Sequence, residues 1–115
     1  TLLRGLADAG MRTIGVEPTN IASFARSNHG IETVQAFFTE EIARSIAATH
    51  GRARLITATN SFAHMAALGE TLRGIRALLA DDGVFVSESH YLLDVLERTQ
   101  FDTIYHEHIR TYSLR

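Results

Sequence analysis

The sequence predicts an α/β fold, a parallel sheet flanked by helices. Two observations carry that prediction. Short β-type runs alternate with helical ones along the whole chain. Hydrophobic residues make up 45% of the chain and charged residues 21%, a balance that can bury a core and stay soluble. At 115 residues the chain is one domain or part of one.

The elements follow in order. "TLLRGLADAG" reads as a helix that stops at Gly10, a residue suited to a left-handed cap. Residues 12–17, "RTIGVE", read as a short buried strand. "PTNIASFARSNHG" turns at Pro18, the only proline, and becomes a helix with Thr19 or Asn20 as N-cap and Gly30 as stop. "ETVQAFF" is a strand over residues 32–38. "TEEIARSIAATHG" is a helix capped by Thr39, with Glu40 and Glu41 at its positive end and Ile42, Ala43, Ile46 and Ala47 as its apolar stripe. "RARLITATN" is a strand leading to Asn60. "LGETLRGIRALLADDG" carries the strongest helical period, in Leu68, Leu72, Ile75 and Leu79, and closes at Asp81–Asp82–Gly83. "VFVSES" is a strand and "YLLDVLERTQ" a short helix, followed by the tail "FDTIYHEHIRTYSL". The chain opens inside a helix, and Ser113 reads as the N-cap of another. The expectation is a segment cut at both ends.

Composition narrows the function classes. No cysteine is present, which excludes disulfides and Cys-based zinc sites within this stretch. All 11 basic residues are arginine, they are scattered, and the net charge is −2, unlike a nucleic-acid surface. No apolar run is long enough to span a membrane, and no signal peptide is visible, so the expected location is cytoplasmic.

Ligands of open α/β sheets bind beyond the carboxyl ends of the strands. The residues there are Glu17, Phe37, Phe38, Asn60 and Glu88. Glu17 can accept hydrogen bonds from both hydroxyls of a ribose, because a carboxylate offers two acceptor oxygens to a vicinal diol. It can equally be a solvated acid. Phe37 and Phe38 can line an adenine pocket, although at least one of them is expected in the core. Asn60 can bond a ligand's polar tail or cap a turn, and Glu88 can pair with an arginine.

The tail concentrates titratable groups in Tyr105, His106, Glu107 and His108. If the segment is extended, the two histidines share one face. Three readings follow: a metal site lacking a visible third ligand, a solvated polar loop, and a general base tuned by a neighbouring carboxylate. His64 joins the cluster only if the fold turns it that way.

The tail resembles the "FD-x-I-Y-H-E-H…YFSL" signature of S-adenosylmethionine-dependent C-methyltransferases that act on nucleotide-linked keto-deoxysugars. "GVEPTNIA" is similar to that family's acidic turn after the second strand, and "TATNSFAHM" to its stretch after the fourth. The resemblance runs along essentially the whole chain. It implies a Rossmann-like class I methyltransferase fold, with residues 1–115 covering roughly strands two to five and the first, central strand missing. Edges and apolar faces would then lie uncovered. The resemblance also implies S-adenosyl-L-methionine as cofactor, a nucleotide-linked sugar as small-molecule substrate, and zinc only in an N-terminal region outside this segment. By motif, His108 resembles the general base, and Tyr105, Glu107 and His64 its partners. Glu17, Pro18, Phe37, Phe38 and Asn60 fall on the cofactor side. His90 stands where many members carry proline ("SESHYL" against "FEVPYL"), and Thr111 where many carry Tyr or Phe. Two alternatives remain at this level, an NAD(P)-dependent oxidoreductase domain and a nucleotide-binding module without catalysis.

Overall fold

The computed structural model describes residues 1–114. Helix α1 (Leu2–Asp8) begins at Thr1, whose side chain accepts from the Arg4 amide, and gives way at Gly10 in the left-handed region (φ 86°). Strand β1 (Ile14–Val16) pairs in parallel with β2 (Glu32–Val34). Between them α2 (Ile21–His29) ends in a left-handed Gly30, whose amide and the next return to the Arg26 and Ala25 carbonyls. Helix α3 (Glu40–His50) starts on a Thr39 side chain that accepts from the Ile42 amide. Strand β3 (Ala53–Thr59) pairs in parallel with β4 (Leu79–Glu88), and α4 (Leu68–Leu78) crosses between them. Helix α5 (Leu92–Glu97) precedes the tail. Short 3-10 turns occupy Phe62–His64 and Phe101–Thr103.

The order of elements matches the sequence reading, and four details differ. First, the strands form two separate parallel pairs instead of one sheet; no ladder joins β1 to β3 among the described residues. Both pairs lean instead on α3. Ala43 and Ile46 of α3, with Leu78 of α4, are buried against Ile14, Val16 and Val34 on one side and Ala53 and Ile56 on the other. Second, the strand expected over 32–38 stops at Val34, where the Ala36 amide turns back to the Val34 carbonyl at 3.2 Å. Phe38, carried beyond that turn, packs on the α3 core.

Third, the helix expected to run to Gly83 ends at Leu78 and passes into β4 without a loop. Leu79 pairs with Ala53, and the register then shifts before Leu55 meets Val84. Gly83 permits that shift: a Cβ there would lie 2.9 Å from the Ala53 carbonyl oxygen and 2.8 Å from Leu79 Cδ1. Arg52 and Arg54 meet Asp81 and Asp82 across the pair at 2.8 and 3.4 Å.

The buried face of α4 is also turned from its predicted stripe. Thr71, Gly74, Ile75 and Leu78 are buried, whereas Leu72 is exposed. The cause is close approach to the start of α3. A Cβ on Gly74 would sit 3.1 Å from the Thr39 carbonyl oxygen and 2.9 Å from the Phe38 ring. Glu40 reinforces the contact, accepting from Arg44 at 2.7 Å and from Arg73 of α4 at 3.1 Å. The hydrogen bond from Arg44 holds the Glu40 carboxyl below its usual value. Its small contribution is therefore present at neutral pH and is lost as pH falls through that lowered value.

The opposite face of the β3–β4 pair, with Leu55, Val84 and Val86, is exposed. No helix among the described residues is long and apolar enough to cross a membrane.

Substituting Gly74 tests the packing of α3 on α4. Gly74→Val is expected to cost about 1–3 kcal/mol in urea denaturation through overpacking. Gly69→Ala, on the same helix with its nearest neighbour 3.6 Å away, is expected to be neutral or to stabilise by up to about 1 kcal/mol. Equal midpoints for both variants would show that the helices do not meet at Gly74.

Candidate active site

The strand ends place the first group of candidates. Glu17 follows β1, half-buried, and its amide continues the ladder to the Val34 carbonyl at 3.0 Å. Its Oε1 accepts from the Thr19 amide at 2.9 Å and from the Thr19 hydroxyl at 2.6 Å, across the exposed Pro18. The Thr19 hydroxyl oxygen in turn accepts from the Ile21 amide at 3.2 Å, so Thr19, not Asn20, caps α2 through its side chain. The carboxylate is thus fixed by its own turn and keeps its second oxygen for another donor. Phe37 and Phe38 separate in role: Phe38 is core, while Phe37, past the turn that follows β2, is 76% exposed. The uncovered ring and the fixed carboxylate lie beyond the ends of two paired strands, a placement compatible with a nucleoside.

Asn60 ends β3 with φ 51°, a left-handed conformation that asparagine tolerates better than bulkier residues. Its amide donates to the Glu88 carbonyl at 3.0 Å. The turn it makes drives Phe62 inward against Phe85 and Tyr112, with ring centres 5.4 and 6.1 Å away. Two residues later His64 emerges exposed beside the tail.

The tail is clamped onto this turn at several points. Tyr112 pairs with Tyr91 in an isolated parallel bridge, and its carbonyl accepts from the Leu92 amide at 2.7 Å. The Tyr112 hydroxyl donates to the Phe62 carbonyl at 3.1 Å. The Arg110 guanidinium donates to the Met65 carbonyl and, at 3.0 Å, to the Ala66 carbonyl.

Between these clamps residues 105–108 form a turn, closed by the His108 amide on the Tyr105 carbonyl at 2.9 Å. That corrects the extended reading, in which His106 and His108 share a face. In the turn Tyr105 folds over His108, its hydroxyl 2.8 Å from His108 Nε2 and the ring centres 4.0 Å apart. His106 points away, 90% exposed, and its Nε2 lies 3.9 Å from the outer Glu107 carboxylate. His64 joins from the β3 side, 4.8 Å from the His108 ring. Its Nδ1 lies 2.8 Å from the Glu107 carbonyl oxygen, and because a carbonyl only accepts, that nitrogen carries the hydrogen.

The structure therefore gathers Tyr105, His108 and His64. It uses Glu107 through its backbone, while the carboxylate faces outward. His90 completes the group at 5.1 Å from His108. The functional reading of the sequence did not use His90, Arg110 or Tyr112, although the first was visible as a departure from the family pattern and the others lie inside the tail motif. Glu88, whose carbonyl holds Asn60, makes no ion pair with an arginine among the described residues. No cluster of three or more metal-ligating side chains is arranged to hold a metal among the described residues.

Comparison with known proteins adds the family. Residues 1–115 match the profile described as a methyltransferase domain. The chain is similar to the C-methyltransferase NovU of Streptomyces niveus, with 44% identity over 106 residues. That alignment covers 92% of this chain and 25% of the relative, so the chain spans about a quarter of that protein's length.

The tail clamp is testable by amide exchange. His64→Ala removes the bond to the Glu107 carbonyl. It is expected to speed exchange of the His108 amide about five- to tenfold, as loss of one hydrogen bond of about 1 kcal/mol implies. Unchanged exchange would show that Arg110 and Tyr112 hold the turn without it.

Proposed function

The chain belongs to the methyltransferase domain family, and on that premise we propose that residues 1–115 form part of the Rossmann-like, S-adenosylmethionine-binding region of a C-methyltransferase. Its substrate is a nucleotide-linked keto-deoxysugar, methylated on a carbon next to the ketone. The observation that carries this reading is the pairing of the Tyr105 hydroxyl with His108 Nε2 at 2.8 Å, beside His64. Similarity to a C-methyltransferase supports the same reaction type.

Carbon methylation needs a carbon nucleophile, and a C–H next to a ketone is acidic enough to supply one. His108 takes that proton at Nε2. With the His108 hydrogen on Nδ1, the phenol donates to Nε2 and so covers the lone pair. As negative charge develops on the ketone oxygen, the Tyr105 hydrogen turns to it, which uncovers Nε2 for the proton and stabilises the enolate together. His64, with its hydrogen fixed on Nδ1 by the Glu107 carbonyl, keeps the turn and the His108 ring in place. Glu17, through its second carboxylate oxygen, and the exposed Phe37 ring would hold the ribose and adenine of the cofactor, with Pro18 shaping the turn and Asn60 beyond β3. When bound, S-adenosylmethionine supplies an electrophilic methyl group on a sulfonium. No second reading gains a specific observation: Glu17 at a strand end and a Tyr–His pair suit an oxidoreductase equally, but the family the chain matches is that of methyltransferases.

Deprotonation can be measured apart from methyl transfer. In the full-length protein with a nucleotide-linked keto-deoxysugar in deuterated water, His108→Ala is expected to slow deuterium wash-in next to the ketone by about 10²–10⁴. Its affinity for S-adenosylmethionine stays within a few-fold. Tyr105→Phe is expected to lower kcat by about 10²–10³ as the oxyanion loses its donor. Wild-type wash-in rates in His108→Ala would remove His108 as the base.

A further inference from the structure

Each turnover of the reaction above leaves a proton behind. The new C–C bond uses the electron pair of the broken C–H bond, the sulfonium becomes a neutral thioether, and the hydrogen departs as H⁺. His108 receives it and must pass it to water before the next turnover. Its surroundings restrict the exit. The ring is half-buried. Tyr105 covers the Nε2 edge, with its hydroxyl at 2.8 Å and its ring centre at 4.0 Å. His64 lies close by, but its Nδ1 hydrogen is held by the Glu107 carbonyl. An imidazole tied at one nitrogen takes up and returns a proton only at the other. His106 and the Glu107 carboxylate are exposed beyond the turn, and Arg110 donates to the Met65 and Ala66 carbonyls.

His90 differs from these neighbours in three ways. Its ring centre lies 5.1 Å from that of His108, near enough for the two rings to be joined by a hydrogen bond or by one water. It is exposed, so its far side reaches solvent. Among the described residues no hydrogen bond ties either nitrogen of its ring. An imidazole open at both nitrogens accepts a proton at one and releases a proton from the other. The place of His90 is also fixed on both sides. The Asn60 amide holds the Glu88 carbonyl at 3.0 Å, Tyr91 bridges to Tyr112, and the Leu92 amide donates to the Tyr112 carbonyl at 2.7 Å. His90 sits between these anchors, at the end of β4 and beside the tail.

We propose that His90 is the proton relay of this site. His108 gains the substrate proton on Nε2 and gives up the proton on Nδ1; His90 accepts that proton on one nitrogen and releases its own to water from the other. The inference rests on the enolate reading above. His90 acts through His108 and not on the substrate. It lies outside the tail motif, so the relay belongs to this chain's own arrangement of β4 against the tail.

Kinetics of the full-length protein in dilute buffer separate relay from support, with a keto-deoxyhexose on a thymidine diphosphate carrier as probe. In His90→Ala the first methyl transfer, followed by rapid quench, is expected to stay within about twofold of the wild-type rate, because His108 begins that turnover ready to take a proton. Later turnovers, and deuterium wash-in without the cofactor, are expected to slow about tenfold as the abstracted proton returns to the carbon. Added imidazole is expected to restore both. His90→Gln, which fills the space, is expected to show the same losses without rescue. Wild-type turnover and wash-in in both variants would overturn the relay and leave the enolate reaction standing. A first turnover slowed as much as the later ones would overturn it too, since that marks a packing role. So would losses in His90→Ala that imidazole does not restore. Wild-type protein that neither exchanges nor methylates the probe would reject the enolate reaction, and the relay with it.

Discussion

The apolar face of α3 is the contact on which the rest of the chain depends. Two parallel strand pairs share no ladder, yet Ala43 and Ile46 touch both sets of strand residues. Burial of that face joins Ile14, Val16 and Val34 to Ala53 and Ile56, and the hydrophobic effect is here the organising force. Backbone hydrogen bonds hold each pair internally but cannot set the distance between pairs. Gly74 then lets α4 close on the start of α3, which sets the entry of β4 and with it the position of Ser89 and His90.

The site is built on top of that frame by polar clamps rather than by core packing. Tyr105, His106, Glu107 and His64 are exposed; His108, Arg110 and Tyr112 are half-buried. Their positions come from carbonyl groups of the Phe62–Ala66 stretch, which accept from Arg110 and Tyr112. Each of these three bonds joins residues more than 40 positions apart in the chain, so the stretch after β3 and the tail must both be in place before the Tyr105–His108 pair has an environment. Such an arrangement trades stability for adjustability, because hydrogen bonds exposed to water contribute little each.

Much of this was legible in the sequence. Caps at Thr39, Gly10 and Gly30 reported helix limits because their chemistry is local, and the stripe Ile42, Ala43, Ile46, Ala47 reported the face of α3 correctly. What stayed hidden was set by tertiary contact. The period through Leu68, Leu72, Ile75 and Leu79 placed Ile75 inside correctly but also Leu72, which is exposed, since Gly74, which has no side chain to signal burial, was the residue that met α3. The end of α4 was missed because "ADDG" has the composition of a helix stop, yet Asp81 and Asp82 pair with arginines while the backbone already runs in β4. In the tail, alternation suggested an extended face, and only the Tyr105–His108 turn revealed which of the two histidines faces inward. The partners of His108 were nameable from the motif, but the use of Glu107 through its carbonyl was not, because side-chain identity carries no information about a backbone acceptor.

The direct passage from α4 into β4 has an evolutionary consequence. Most joints in an α/β domain absorb insertions in a surface loop. Here Leu78 is the last residue of the helix and Leu79 the first of the strand, with Gly83 seated against the Ala53 carbonyl. A single added or deleted residue after that glycine would slip the register and exchange the two faces of the strand. Phe85 would leave its contact with Phe62, and Val84 or Val86 would take its place. Relatives sharing this joint are therefore expected to vary in length at the edges of the tail and at the β2–α3 turn, and to keep the spacing from Gly74 to His90 constant.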